Sequence, residues 1–207
     1  MFKKLLLSLL FITLFSTINL VAQGKKTILV FGDSIAAGLG VDPEQAFPAI
    51  IQQKIDSVGL AYDVINAGLS GETSAGGLRR ISWVLQRKVD IMILELGGND
   101  GLRGINLSST KENLQQIITI AQEKNPEIQV IIAGMQVPPN LGIEYTDEFV
   151  NLYPTLAEKN DLPLIPLILN EVGGFDNYMQ PDQIHPNAAG HRVVAQTVWE
   201  TLYPIIN

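Results

Sequence analysis

From residue 27 onward, short apolar runs alternate with stretches whose apolar positions recur every three or four residues. Thr27-Ile28-Leu29-Val30-Phe31 is β-branched and aromatic and stops at Gly32, which predicts a buried strand. Phe47 to Val58 carries apolar residues at 47, 50, 51, 55 and 58, the spacing of a helix with one buried face. Tyr62 to Ile65 predicts a second strand, followed by a glycine-rich loop. Leu78, Ile81, Trp83, Val84 and Leu85 then mark a helix ending near Lys88. Asp90 to Leu96 predicts a third strand. A helix around Leu114, Ile117, Ile118 and Ala121 leads to a fourth strand over Ile128 to Ala133. A helix from about Thr146 to Lys159, a short strand at Leu164-Ile165 and a helix over Asn187 to Tyr203 complete the chain. Strands that are apolar throughout, separated by amphipathic helices, require a parallel sheet covered on both faces. The expected architecture is a doubly wound three-layer α/β/α sandwich with about five strands. No repeat, low-complexity tract or linker divides it, so one domain is expected over residues 23–207.

The first 22 residues break this rhythm. Lys3 and Lys4 precede an apolar run from Leu5 to Phe15, and small Ala22 stands before polar Gln23-Gly24-Lys25-Lys26. This is the layout of a secretory signal peptide cleaved after Ala22. The apolar run is shorter than the roughly 20 residues of a bilayer span. The expectation is an exported chain, periplasmic or secreted, with no membrane span after removal of its signal.

Composition narrows the chemistry. Fourteen Lys and Arg stand against 21 Asp and Glu, a net charge of −7. An acidic chain without a basic block has no electrostatic footprint for nucleic acid. The absence of cysteine excludes disulfides, thiolate nucleophiles and iron–sulfur clusters. Only His185 and His191 are present, so a histidine-rich zinc site is excluded. Gly32 to Gly40 lacks the Lys-Ser/Thr ending of a phosphate-binding loop.

In a doubly wound sheet, function concentrates beyond the carboxyl ends of the strands. Gly32-Asp33-Ser34 follows the first strand, Ser70-Gly71-Glu72 the second and Gly97-Gly98-Asn99-Asp100 the third. Asp182-Gln183-Ile184-His185-Pro186 precedes the last helix. A serine hydroxyl is a weak nucleophile and needs a base within reach. His185 is the natural base, since histidine titrates near neutral pH. Asp182, three residues earlier, can turn back to orient the imidazole. Backbone N–H groups at Ser34 and Gly71 and the side-chain amide of Asn99 are candidate donors to a tetrahedral oxyanion. Each segment also has a plainer reading. Gly-Asp-Ser and Gly-Gly-Asn-Asp are ordinary turn sequences, Asp182 to His185 could be a helix start, and Pro186 suits the first turn of the last helix. Ser70 resembles a nucleophile elbow, but Glu72 replaces the second glycine of that motif and ranks it below Ser34. His191, inside the last helix, reads as a surface or packing residue.

Taken together, these segments resemble the SGNH hydrolases, the GDSL family of esterases and lipases. Residues 28–34 match the first block of that family and residues 66–73 the second. Residues 95–104 match the third and residues 182–187 the fifth. The resemblance implies Ser34 as nucleophile, His185 as base and Asp182 as its orienting acid. It also implies an oxyanion hole of Ser34, Gly71 and Asn99, a flavodoxin-like sheet and no cofactor. The long third block is similar to a branch of exported bacterial thioesterases, lysophospholipases and arylesterases. That branch implies a small-molecule acyl ester or thioester as substrate. The departure is Glu72, where aspartate is common. A carbohydrate O-acetyl esterase and a non-catalytic lipid- or glycan-binding protein are the alternatives on this sheet. Apolar loops at Gly101–Ser108 and Gln136–Tyr145 are expected to flank an acyl pocket.

Overall fold

The computed structural model, which describes residues 24–207, sets the apolar runs side by side in one parallel sheet. Its strands are β1 (Lys26–Gly32), β2 (Tyr62–Asn66), β3 (Ile91–Glu95), β4 (Gln129–Ala133) and β5 (Leu164–Ile165), in the order β2-β1-β3-β4-β5. Ile28 to Phe31 and Met92, Ile93, Val130 and Ile131 are completely buried, as strands covered on both faces must be. At the edge, β2 buries only Tyr62. The order reverses direction between β1 and β3, so their carboxyl ends open the crevice where such sheets hold ligands. There Gly32 stands opposite Glu95.

The helices are α1 (Ser34–Ala37), α2 (Phe47–Ser57), α3 (Ser74–Val84), α4 (Gly98–Leu102), α5 (Leu107–Lys124), α6 (Ile143–Asn160) and α7 (Ala188–Ile206). α2 packs against α7, while α3 packs against α5 and α5 against α6. Among the described residues no helix is long and apolar enough to cross a membrane. The expected signal segment, Met1 to Ala22, lies outside the described residues.

Several expected elements change extent, each for a local reason. α3 begins at Ser74, earlier than its apolar stripe, because Thr73 caps it by accepting from the Gly76 N–H. It stops at Val84, and residues 85–88 turn the chain so that Val89 can enter the core ahead of β3. α5 starts at Leu107 under an Asn106 cap, its polar first turn having hidden it from periodicity. α7 starts at Ala188 rather than at Pro186, since Asn187 accepts from the Ala189 and Gly190 N–H groups. Pro186 instead bridges to Met179. α1 and α4 span about one turn each, too short for any periodic signal, yet both sit at strand ends within the crevice.

Candidate active site

The turn after β1 is built around Glu95. Its side chain fills the space beside Gly32, where an added Cβ would overlap Glu95 Oε2. Glycine is therefore required at 32. The same Oε2 accepts from the N–H groups of Asp33 (3.2 Å) and Ala36 (3.1 Å). Asp33 caps α1, with Oδ1 accepting from the Ile35 N–H at 3.1 Å. Ser34 becomes the first residue of α1. Its N–H is thus one of the orphan amides at a helix start, and its side chain is held at the sheet edge with little freedom.

From the other end of the chain, residues 182–187 form a tight turn rather than a helix start. Asp182 Oδ1 accepts from the backbone N–H groups of Ile184 (2.9 Å) and His185 (3.0 Å), while Gln183 takes a left-handed conformation, φ 58°. This leaves Asp182 Oδ2 free to meet His185 Nδ1 at 2.7 Å. His185 Nε2 lies 2.9 Å from Ser34 Oγ. Partial burial alone would raise the Asp182 pKa. The hydrogen bonds from the His185 side chain and backbone and from Ile184 outweigh it and hold the carboxyl down at about 2. An ionised Asp182 selects the tautomer with the proton on Nδ1, leaving Nε2 free to accept from the Ser34 hydroxyl.

The remaining segments converge from β2 and β3. Gly97, at φ 115°, is the N-cap of α4, so Gly97 to Asp100 is a helix start rather than a bare turn. Asn99 Nδ2 donates to Asp33 Oδ2 at 3.2 Å, beside Ser34. Gly71, at φ 79°, sits in an exposed turn. Among the described residues its N–H has no acceptor in the protein. Arg103 links the two loops, donating to Gly71 O (3.1 Å) and Asn99 Oδ1 (3.4 Å). Below them, buried Asp100 accepts from Ser74 N–H at 2.8 Å and from the Ser74 hydroxyl. The departure at Glu72 is occupied in structure: Glu72 is buried and forms a bidentate pair with Arg80, which also donates to Ala67 O and lies over the Phe31 ring. That clamp ties the Gly71 loop to α3. Ser70 is exposed and bonds to neither histidine. His191 is buried, one of the two roles the sequence left open for it.

Ser34, Asn99 and His185 open into a cleft of about 590 Å³. Leu102, Val137, Pro138, Ile168 and Ile184 give it an apolar wall. Of the expected flanking loops, residues 101–108 contribute only Leu102 and residues 136–145 only Gln136 to Pro139. Further lining comes from Ile168, Leu169, Gly173 and Gly174, in a segment that periodicity did not single out. Gly71 and Asp182 do not line the cleft. Sequence reading also passed over Glu95, Arg80, Arg103 and Asp100. For Glu95 a signal existed, an acid inside an otherwise apolar strand. Such a hydroxyl, imidazole and carboxylate beside an amide donor are the equipment of nucleophilic acyl transfer.

A sequence profile of the GDSL-like lipase/acylhydrolase family matches residues 30–193. Esterase TesA of Pseudomonas aeruginosa is 40% identical over 183 residues, covering 87% of this chain and 90% of that protein. Thioesterase 1/protease 1/lysophospholipase L1 of Escherichia coli is 36% identical over 187 residues, covering 90% of this chain and 88% of that one. Among solved structures, the psychrotrophic esterase EstA from a Pseudoalteromonas species, inhibited by monoethylphosphonate, superposes with a TM-score of 0.83. It is 29% identical and covers 88% of this chain and 100% of its own.

Proposed function

This chain belongs to the GDSL-like lipase/acylhydrolase family and is an esterase of it, and we propose that it hydrolyses acyl esters and thioesters through an acyl-enzyme on Ser34. The observation that carries this reading is the unbroken relay from Ser34 Oγ to His185 Nε2 (2.9 Å) and from His185 Nδ1 to Asp182 Oδ2 (2.7 Å), at the mouth of an apolar cleft. As Ser34 Oγ bonds to the acyl carbon, its proton passes to His185 Nε2. In this reading the developing oxyanion takes hydrogen bonds from the N–H groups of Ser34 and Gly71 and from the Asn99 amide. When the tetrahedral species collapses, the bond to the alcohol or thiol breaks and His185 returns the proton to that leaving group. Water then repeats the sequence on the acyl-serine, giving the carboxylic acid and free Ser34. Asp182 stays ionised throughout and stabilises the imidazolium.

The acidic composition and the Met1–Ala22 segment support an exported enzyme acting on small-molecule substrates. A phosphonate inhibits the esterase EstA, which shares this fold. The test therefore combines a fluorophosphonate probe with hydrolysis of p-nitrophenyl butyrate, using the chain secreted from its full-length form. Covalent labelling and turnover are both expected to vanish in Ser34→Ala, and the secreted protein should begin at Gln23. Undiminished turnover in Ser34→Ala would remove Ser34 from the reaction.

A further inference from the structure

Behind Ser34 lies a pair of buried carboxyls that the proton relay does not use. Glu95 is completely buried and Asp33 is 3% exposed. Glu95 Oε2 receives the Asp33 and Ala36 N–H groups, whereas Oε1 is the one fully buried side-chain nitrogen or oxygen that receives no donor among the described residues, and the two carboxyls lie within hydrogen-bond reach of each other. No Lys or Arg among them pairs with either acid. Arg80 is committed to Glu72 and Ala67 O, and Arg103 to Gly71 and Asn99. The groups facing the pair are His185 from the turn before α7, Asn99 of α4, and Tyr153 of α6, whose hydroxyl donates to Leu96 O. Two adjacent carboxylates without a cation cannot both remain ionised out of water, so the pair must hold a proton.

The distribution of donors decides where it rests. Asp33 receives the Ile35 N–H on Oδ1 and the Asn99 amide on Oδ2, and it also lies in the field of His185. Both of its oxygens are served as an anion's should be. Glu95 has one oxygen served and one bare, which is the pattern of a carboxylic acid with its hydroxyl on Oε1.

We propose that Glu95 is a positioning residue acting as a neutral carboxyl: Oε2 clamps the Asp33 and Ala36 amides, the Oε1 proton is shared with the Asp33 carboxylate, and Asp33 in turn holds the Asn99 amide at the cleft. Burial first, and then the Asp33 charge, push the Glu95 pKa well above the carboxylate range. Burial raises Asp33 to about 6, with the Ile35 and Asn99 donors opposing the rise. The arrangement also explains the glycine before Asp33, because the Glu95 side chain occupies the place a Cβ at Gly32 would need. The inference rests on the roles of Ser34 and Asn99 proposed above.

Isotope-edited infrared spectroscopy tests the proton itself. In enzyme labelled with carboxyl-¹³C glutamate, the wild type at pH 7 should show a protonated-glutamate C=O band that is missing from Glu95→Gln. Kinetics test the consequence. Glu95→Ala should lower kcat on p-nitrophenyl butyrate by about tenfold or more, with KM changed by less than about threefold. Glu95→Gln, whose amide can accept from the two N–H groups and donate to Asp33, should recover most of that loss. A wild-type spectrum without the band, or a Gln variant as impaired as the Ala variant, overturns the proposal. Should Glu95→Ala not fold, the wild-type spectrum decides alone. The band is independent of catalysis: active Ser34→Ala with the band present would refute the role of Ser34, while a missing band in an enzyme that needs Ser34 would refute the role of Glu95.

Discussion

Asn99 shows how far a single side chain can be specified by its neighbours. Its amide nitrogen faces the anionic partner Asp33 and its oxygen faces the cationic Arg103. Rotating the amide would bring oxygen to carboxylate and nitrogen to guanidinium, so the charges on either side define its orientation. One Nδ2 hydrogen is taken by Asp33, and the second is available to a developing oxyanion. Such a donor acts mainly in the transition state and is typically worth roughly 3–4 kcal/mol. Asn99→Ala should therefore lower kcat about 10²–10³-fold while KM changes only severalfold, as measured by steady-state ester hydrolysis. A variant with wild-type kcat would exclude Asn99 from the oxyanion site. Ser34, Asn99, Asp182 and His185 could each be picked out from residue type and local text. Arg103 could not, because its link to Gly71 O spans 32 residues; Glu95 stood out only as an acid in an apolar strand, since the Asp33 and Ala36 amides it holds lie 62 and 59 residues away.

Between elements, His191 performs a task that helix patterns do not reveal. Ala46 gives α2 no side-chain cap, and the Phe47 N–H at its start would be orphaned inside the core. His191, on α7, accepts that N–H through Nδ1 at 3.3 Å, with its ring stacked on Phe47. The cap of one helix is thus supplied by another, 144 residues away. Burial, and then the His185 charge, depress the His191 pKa to about 4. Because the folded value lies below the unfolded 6.5, this histidine's contribution is complete above about pH 6.5. It is lost as pH falls from there through about 4, where the unfolded chain takes up the proton first. Asp33 and Glu95, with raised values, act in the opposite sense over this range. Comparison with a variant isolates the histidine. His191→Asn, whose Oδ1 can still accept from Phe47, should be less stable at pH 7 yet lose less stability on going to pH 4.5, as read from urea midpoints. Equal losses in the two proteins would assign the acid sensitivity elsewhere.

On the scale of the whole molecule, the cleft is a product of chain segments far apart in sequence. Its apolar wall combines Leu102 after β3, Val137 and Pro138 after β4, and Ile168 after β5. A surface of that character rewards acyl length, since each buried methylene contributes roughly 0.8 kcal/mol, about fourfold in kcat/KM. Along p-nitrophenyl esters from acetyl to palmitoyl, kcat/KM should rise by at least about tenfold from acetyl to hexanoyl. An enzyme preferring acetyl would point instead to O-acetylated carbohydrate. The strand ends bring reactive groups to one rim, but the later loops determine what reaches them.

By itself, the sequence was enough to indicate the layered sheet and the five strands and to single out Ser34, Asn99, Asp182 and His185 as candidates. These depend on local information: apolar runs, periodicity, and short segments whose residue types carry their own chemistry. Helix starts at Ser74 and Leu107 were blurred because polar first turns carry no stripe. Only the tertiary structure decided that Glu95 lies beneath Ser34, that Arg103 and Asp33 orient Asn99, that His191 caps α2 and that residues 168–174 wall the cleft. In each of these cases a polar or apolar group is satisfied by a partner from another element. Burial then sets both its protonation and its effect, and burial is a property of the folded chain rather than of any one segment.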